Sequence, residues 1–199
     1  DPAKAKQLFA YRKIQAALSV AGEISQPDSV QLLADFIDNN RENIYLCNTA
    51  IDSLAKNQTS EAKDEILKIA DDQKYGYELR TRAILAGLRA GVPFENGKIS
   101  ALLKQYMTDL GDQICQSMGT YNIIEIVGLL TDSRLSAEIL DELQNKIQNF
   151  PPEKTQWFER DIISTRLAIQ TDDKEEYLEK KLSARHYVAK NGIVFGSLK

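Results

Sequence analysis

Ala17, Ala50 and Ala83 stand 33 residues apart, as do Leu18, Ile51 and Ile84. The same step of 33 connects Leu33, Ile66 and Ile99, and again Phe36, Ile69 and Leu102. Two apolar registers held through three successive copies imply a duplicated unit with room for two short antiparallel helices. Further on the step lengthens to 40, from Ala83 to Ile123 to Ile163 and from Ile99 to Ile139, which makes about five units in all. A helix pair of this size cannot bury both apolar faces alone, so neighbouring pairs must stack and share one elongated core.

Helical periodicity carries each half of each unit. In the segment 3–22, Leu8, Tyr11, Ile14, Ala17, Leu18 and Ala21 form one apolar face, with Gly22 as a weak point near its end. Pro27 suits a first helical turn, and Val30, Leu33, Ala34 and Ile37 follow as far as Asn39-Asn40. Leu46, Ala50, Ile51 and Leu54 make the next stripe, and Asn57-Gln58 interrupts it. Thr59 or Ser60 then caps a helix carrying Ile66, Leu67, Ile69 and Ala70, with Glu61 well placed for its dipole. A third pair is predicted at 76–90 and 97–109, joined by GVPFENGK, and a fourth at 112–130 and 134–148. The fifth begins after Pro151-Pro152 with Trp157, Phe158, Ile162, Ile163 and Leu167, and ends with Tyr177, Leu178 and Leu182. Strict two-residue alternation is nowhere long enough for a sheet, and Ile193-Val194-Phe195 is the single candidate strand. The expected class is all-α, with one domain over 1–190 and a tail at 191–199 that caps it or begins a further segment.

RKIQAALSVAGEI (12–24) and ELRTRAILAGLRAG (78–91) resemble the first helix of short HEAT repeats, in the armadillo-type class, where arginine, small and aliphatic residues lead to a glycine. The resemblance covers residues 8–148, and it implies a right-handed α-α superhelix, a solenoid of about five antiparallel helix pairs whose second helices line a concave face. GTYNIIEIVGLL and ERDIISTRLAIQ in the fourth and fifth units lack the small residues of that pattern. The TPLH signature of ankyrin repeats and the Trp, Gly, Tyr and Pro pattern of tetratricopeptide repeats are both missing.

Charge and chemistry narrow the function. With 25 Lys and Arg against 29 Asp and Glu, the formal charge of −4 gives no whole-molecule attraction to phosphate backbones, which argues against nucleic acid. No apolar run reaches the roughly 20 residues of a membrane span. Cys47 and Cys115 lie in apolar stretches where buried reduced thiols are expected, with a disulfide as the alternative. His186 is the sole histidine, and no CxxC pair, phosphate-binding glycine loop or nucleophile elbow occurs. Asp71-Asp72 and Asp172-Asp173 read as solvated turn residues, and Asn57-Gln58-Thr59 as a chance match to a glycosylation acceptor. No catalytic residue, cofactor or metal ligand is assigned. The chain opens DPAKAK without methionine, consistent with processing or trimming. A soluble, cytoplasmic setting is favoured, with a processed exported form as the alternative.

Function is then expected on the surface. The second helices carry a mild acidic excess suited to a protein partner or peptide segment of basic or mixed polarity. Asp35, Asp38, Asp64, Lys68 and Asp141 are the charged candidates for that contact, and Tyr75 and Tyr106 the aromatic ones, although at helical spacing a tyrosine is more often core or inter-helix packing. The reading is a non-enzymatic interaction scaffold that binds through its concave face. The alternatives that the resemblance offers are a DNA glycosylase, for which Trp157 and Asp161 stand one helical turn apart, a bilin lyase subunit, or one repeat domain of a longer protein.

Overall fold

A computed structural model describes residues 2–171. Among these residues the chain forms nine α-helices and no strand: α1 (Pro2–Glu23), α2 (Pro27–Asn39), α3 (Ile44–Asn57), α4 (Ser60–Asp71), α5 (Tyr77–Arg89), α6 (Asn96–Leu110), α7 (Met118–Leu129), α8 (Ser133–Ile147) and α9 (Pro152–Thr171). Local chemistry sets their ends. Pro27 opens α2 with Asp28 beside it in the first turn. The Thr59 hydroxyl accepts from the Ala62 N–H at 3.2 Å, and Asn43 and Asp132 cap α3 and α8 in the same way. Gln58, at φ 58°, turns the chain between α3 and α4 at the interruption read from the sequence. One helix departs from expectation: 112–130 is not continuous. Gly111, at φ +46°, opens a 3₁₀ turn over Gly111–Gln113, and α7 starts only at Met118, where the Ser117 hydroxyl accepts from the Gly119 N–H at 3.1 Å.

The chain divides into two compact units, Asp1–Ile126 and Val127–Lys199. In the first, α1 packs on α3 and α3 on α5, while α2 packs on α4. The matched positions supply its core: Leu18, Ile51 and Ile84 are buried, as are Leu33, Ile66 and Ile99. Ala17 breaks the series. It is exposed, whereas Ala50 and Ala83 are fully buried, because α1 packs on α2 and α3 and no helix of the unit covers its far side.

Gly22 does not end α1, which runs on to Glu23. It marks a close approach of α1 to α3, where a Cβ would lie 2.7 Å from the Ser53 carbonyl oxygen. Polar groups reinforce the stacking: Arg82 of α5 forms a two-pronged ion pair with Asp52 of α3, its Nε at 2.8 Å. The Asn57 amide donates to the Ile24 carbonyl at 2.7 Å and to Ser29 at 3.2 Å, and its residue is buried. This side chain is a structural tie, closed to glycosylation in the folded chain. Cys47 is a buried free thiol whose Sγ lies 3.1 Å from the Asn40 carbonyl, and burial pushes its pKa up to about 11.

In the second unit, α8 packs on α9, and Ile139, Leu140, Leu143, Ile147, Phe158 and Ile162 are buried. The candidate strand at 193–195, the tail at 191–199, His186, Asp172-Asp173 and the helix around Tyr177 all lie outside the described residues. No helix among the described residues is long and apolar enough to cross a membrane.

Candidate binding groove in the first unit

A groove of about 950 Å³ opens between α4, α5 and α6. Leu67, Ala70 and Asp71 line it from α4, Tyr77, Arg80 and Ile84 from α5, and Lys98, Ile99, Ala101, Leu102 and Gln105 from α6. The α5–α6 connection closes one side of it with Pro93, Phe94 and Glu95. Gly91, at φ +73°, ends α5 in a left-handed cap in which the Val92 N–H reaches the Gly87 carbonyl at 2.8 Å. Pro93 follows, and the Phe94 ring lies against Gly87 and Ile66: a Cβ on Gly87 would sit 2.7 Å from Phe94 Cε2 and 2.9 Å from Ile66 Cγ2. Only glycine leaves room for that ring. With Phe94 wedged beside α4 and α5, α6 does not pack on α4 as α4 packs on α2.

The polar groups of the walls are anchored. Arg80 Nε donates at 2.9 Å to the Ala70 carbonyl near the C-terminus of α4, where a cation also meets the negative end of the helix dipole. Its guanidinium carbon is 5.9 Å from the centre of the Tyr77 ring. Tyr77 stacks on Tyr106 with centroids 4.9 Å apart, and its hydroxyl donates to Asp109 at 2.5 Å, a bond that raises the phenol pKa. Lys98 pairs with Glu95 at 3.3 Å on the exposed rim. Arg80 and Lys98 are thus balanced by Asp71 and Glu95, and the groove carries an apolar floor between walls of both signs.

The residues singled out in the sequence do not gather here. Tyr75 edges the groove but is only 2% exposed, and its hydroxyl donates to Asp38 at 2.7 Å. Lys74 lies 3.0 Å from the same carboxylate and 4.7 Å from the Tyr75 ring centre. Burial alone would raise the Asp38 pKa, but the hydrogen bonds from Tyr75 and Lys74, with the field of Lys68, bring it below the ordinary value. Asp38 and Tyr75 therefore do meet, together with Lys74, as a joint between α2 and the α4–α5 turn, and Lys68 does not join them. Tyr106 is likewise buried, 2.7 Å from the Ser117 hydroxyl, with its phenol pushed up to about 12 chiefly by burial. Both tyrosines are corrected from surface contacts to packing residues, since rings inside the unit cannot meet a partner.

Asp35 is exposed and accepts from Gln31 at 2.7 Å, Asp64 is exposed on α4, and Lys68 pairs with Glu65 at 3.0 Å. Asp141 belongs to the second unit, where Arg166 donates to it at 2.5 Å. Trp157 and Asp161 stand one turn apart on α9, the tryptophan exposed and the aspartate half-buried. Sequence reasoning missed Arg80 and Phe94, and it gives Lys98 only as one of the charges of the second helices. The usable signal was an aromatic residue within a Pro- and Gly-containing connection, where an apolar ring needs a cavity to enter. Among the described residues no three His, Cys, Asp or Glu side chains come together to hold a metal ion. Comparison with family models, with curated proteins and with solved structures gives no match for this chain.

Proposed function

We propose that this protein is a binding module that takes an extended polypeptide segment into the groove between α4, α5 and α6. The observation that carries the reading is the groove of about 950 Å³ itself, open between α4, α5 and α6 with Phe94 among its lining residues. The floor of Ile84, Ile99 and Leu102 suits an apolar side chain of the segment, and the opposed charges of Arg80, Lys98, Asp71 and Glu95 suit a segment of mixed polarity. A HEAT-like solenoid is part of the same proposal. It draws support from the 33-residue step and from the stacking of α1 on α3 and α3 on α5. A glycosylase-like enzyme would need a basic face to hold nucleic acid, and neither the net charge of −4 nor the balanced groove favours it.

The test is selection of a random peptide library displayed on phage against the full chain, with Ala101→Trp as the control. Ala101 is exposed in the groove, so a tryptophan there fills the space without entering the core. Enriched peptides are expected to bind A101W at least tenfold more weakly than wild type. Absence of enrichment, or equal binding to both proteins, overturns the groove as the binding site.

A further inference from the structure

The outward face of α1 carries a stripe that the rest of the first unit does not cover. Phe9, Lys13, Ala16, Ala17 and Val20, with Ile24 just past the last turn, follow one another at helical spacing, and all are exposed. Phe9 is 61% exposed, Val20 59% and Ile24 44%, values foreign to large apolar groups on a single face of a stacked helix. The positions 33 residues on from Lys13, Ala17, Val20 and Ile24 are Leu46, Ala50, Ser53 and Asn57, and each is at most 4% exposed. In α5 the corresponding Leu79, Ala83 and Ala86 are at most 3% exposed. At Lys13, Ala17 and Val20 the face that is bare on α1 is therefore the one its counterparts bury, whereas Glu42 and Thr49, the counterparts of Phe9 and Ala16, are exposed and half-buried.

We propose that a second copy of this chain covers this face, with the two α1 helices packed antiparallel about a two-fold axis. The stripe is symmetric about the bond between Ala16 and Ala17. Reading outward from that point, the steps to Lys13 and Phe9 are three and four residues, and the steps to Val20 and Ile24 are also three and four. A two-fold interface demands this self-complementarity, because each surface must fit its own copy. In that register Phe9 meets Ile24 of the second copy, Lys13 meets Val20, and the small Ala16 and Ala17 meet at the centre, where they allow close approach.

Charge fits the same register. Arg12 and Glu23 are separated by 11 residues, about three helical turns, so both lie on one flank of the stripe. Antiparallel packing places Arg12 within about two residues, or roughly 3 Å along the axis, of Glu23 of the second copy, and the pair occurs twice. Both residues are exposed, and the only ion pair of Glu23 among the described residues is a loose one to Lys56 at 3.8 Å, also exposed.

Sedimentation equilibrium of the full chain tests this. Wild type is expected to show a reversible monomer–dimer equilibrium, and Val20→Glu to be monomeric with unchanged helical circular dichroism and, at dilutions where wild type is itself monomeric, an unchanged melting temperature. Arg12→Glu and Glu23→Arg should each weaken the dimer about three- to tenfold, and the double variant R12E/E23R should return to within about twofold of wild type. A wild-type protein that is monomeric at about millimolar concentration overturns the proposal. Larger open assemblies do so as well, and so does a double variant no tighter than the singles, since each excludes this two-fold register. Ala101→Trp, far from the stripe in sequence and facing the groove, should leave the dimer unchanged, which separates this result from that of the groove.

Discussion

The hydroxyl of Tyr75 satisfies Asp38 at a joint where burial would otherwise raise the carboxyl pKa. Tyr75→Phe removes that donor while keeping the ring, and should lower unfolding stability by about 1–2 kcal/mol in urea titrations at neutral pH. Because the folded pKa of Asp38 is depressed, its contribution is present above the ordinary carboxylate range and is lost as pH falls through the lowered value. The opposite sign holds for the buried acids at the alkaline end. Cys47, with an ordinary value of 9.0, is raised to about 11, and Tyr106, ordinarily at 10.0, to about 12. Both protonated forms favour the folded state, so that stability is complete below about pH 9 and declines as pH rises toward 12. Urea midpoints measured from pH 8 to 11 should fall progressively above pH 9, and a flat profile would contradict the burial of these groups. At this scale a single sequence could not separate a tyrosine that packs from one that binds. Tyr75 and Tyr106 have the same amphipathic chemistry in either role, and only the neighbours Asp38 and Ser117 decide it.

Gly22 and Gly87 are two of the glycines that set how closely elements approach one another. Alanine usually stabilises a helix interior by about 1 kcal/mol over glycine. At Gly22 the added Cβ would meet backbone atoms of Ser53 at 2.7 and 2.8 Å, which cannot rotate away. Gly22→Ala should therefore cost about 2–3 kcal/mol by forcing α1 off α3, read as a lower melting temperature. At Gly87 the obstacle is mainly the ring of Phe94. Gly87→Ala should be destabilising by about 1–2 kcal/mol in wild type and by clearly less in a Phe94→Ala background. Equal costs in both backgrounds would show that Phe94 is not the wedge. The helices themselves were legible because apolar spacing and caps such as Thr59 are local signals. The break before α7 was not, since Ile114 is buried and continues the apolar pattern straight through the turn at Gly111.

For the molecule as a whole, stability should follow how many sides of each helix are covered. Helix α3 packs against α1, α2, α4 and α5, whereas the backbone of α6 comes close mainly to α5 and the following turn. Native-state hydrogen exchange should accordingly be slowest at Ala50, Ile51 and Leu54 and faster in α6, by about tenfold or more in protection. Protection greater in α6 than in α3 would rule out this ordering.

The sequence by itself determined that the chain is helical, where most of its helices run, and which stripe of α2 to α8 faces inward, because those properties follow from residue order at a period of 3.6; of the faces read for α1 and α9, Leu8, Ile14, Ala17, Trp157 and Ile163 are exposed instead. It also set the stacking partners of Leu18, Ile51 and Ile84 through their common step. Tertiary structure alone decided which faces stay open. Whether α6 closes on α4 depends on the volumes of Gly87, Phe94 and Ile66 meeting across three elements, and whether Val20 is covered depends on what stands beyond α1. Periodicity records the direction of an apolar face, but the distance between helices is set by side chains far apart in the chain that come into contact only once it has folded.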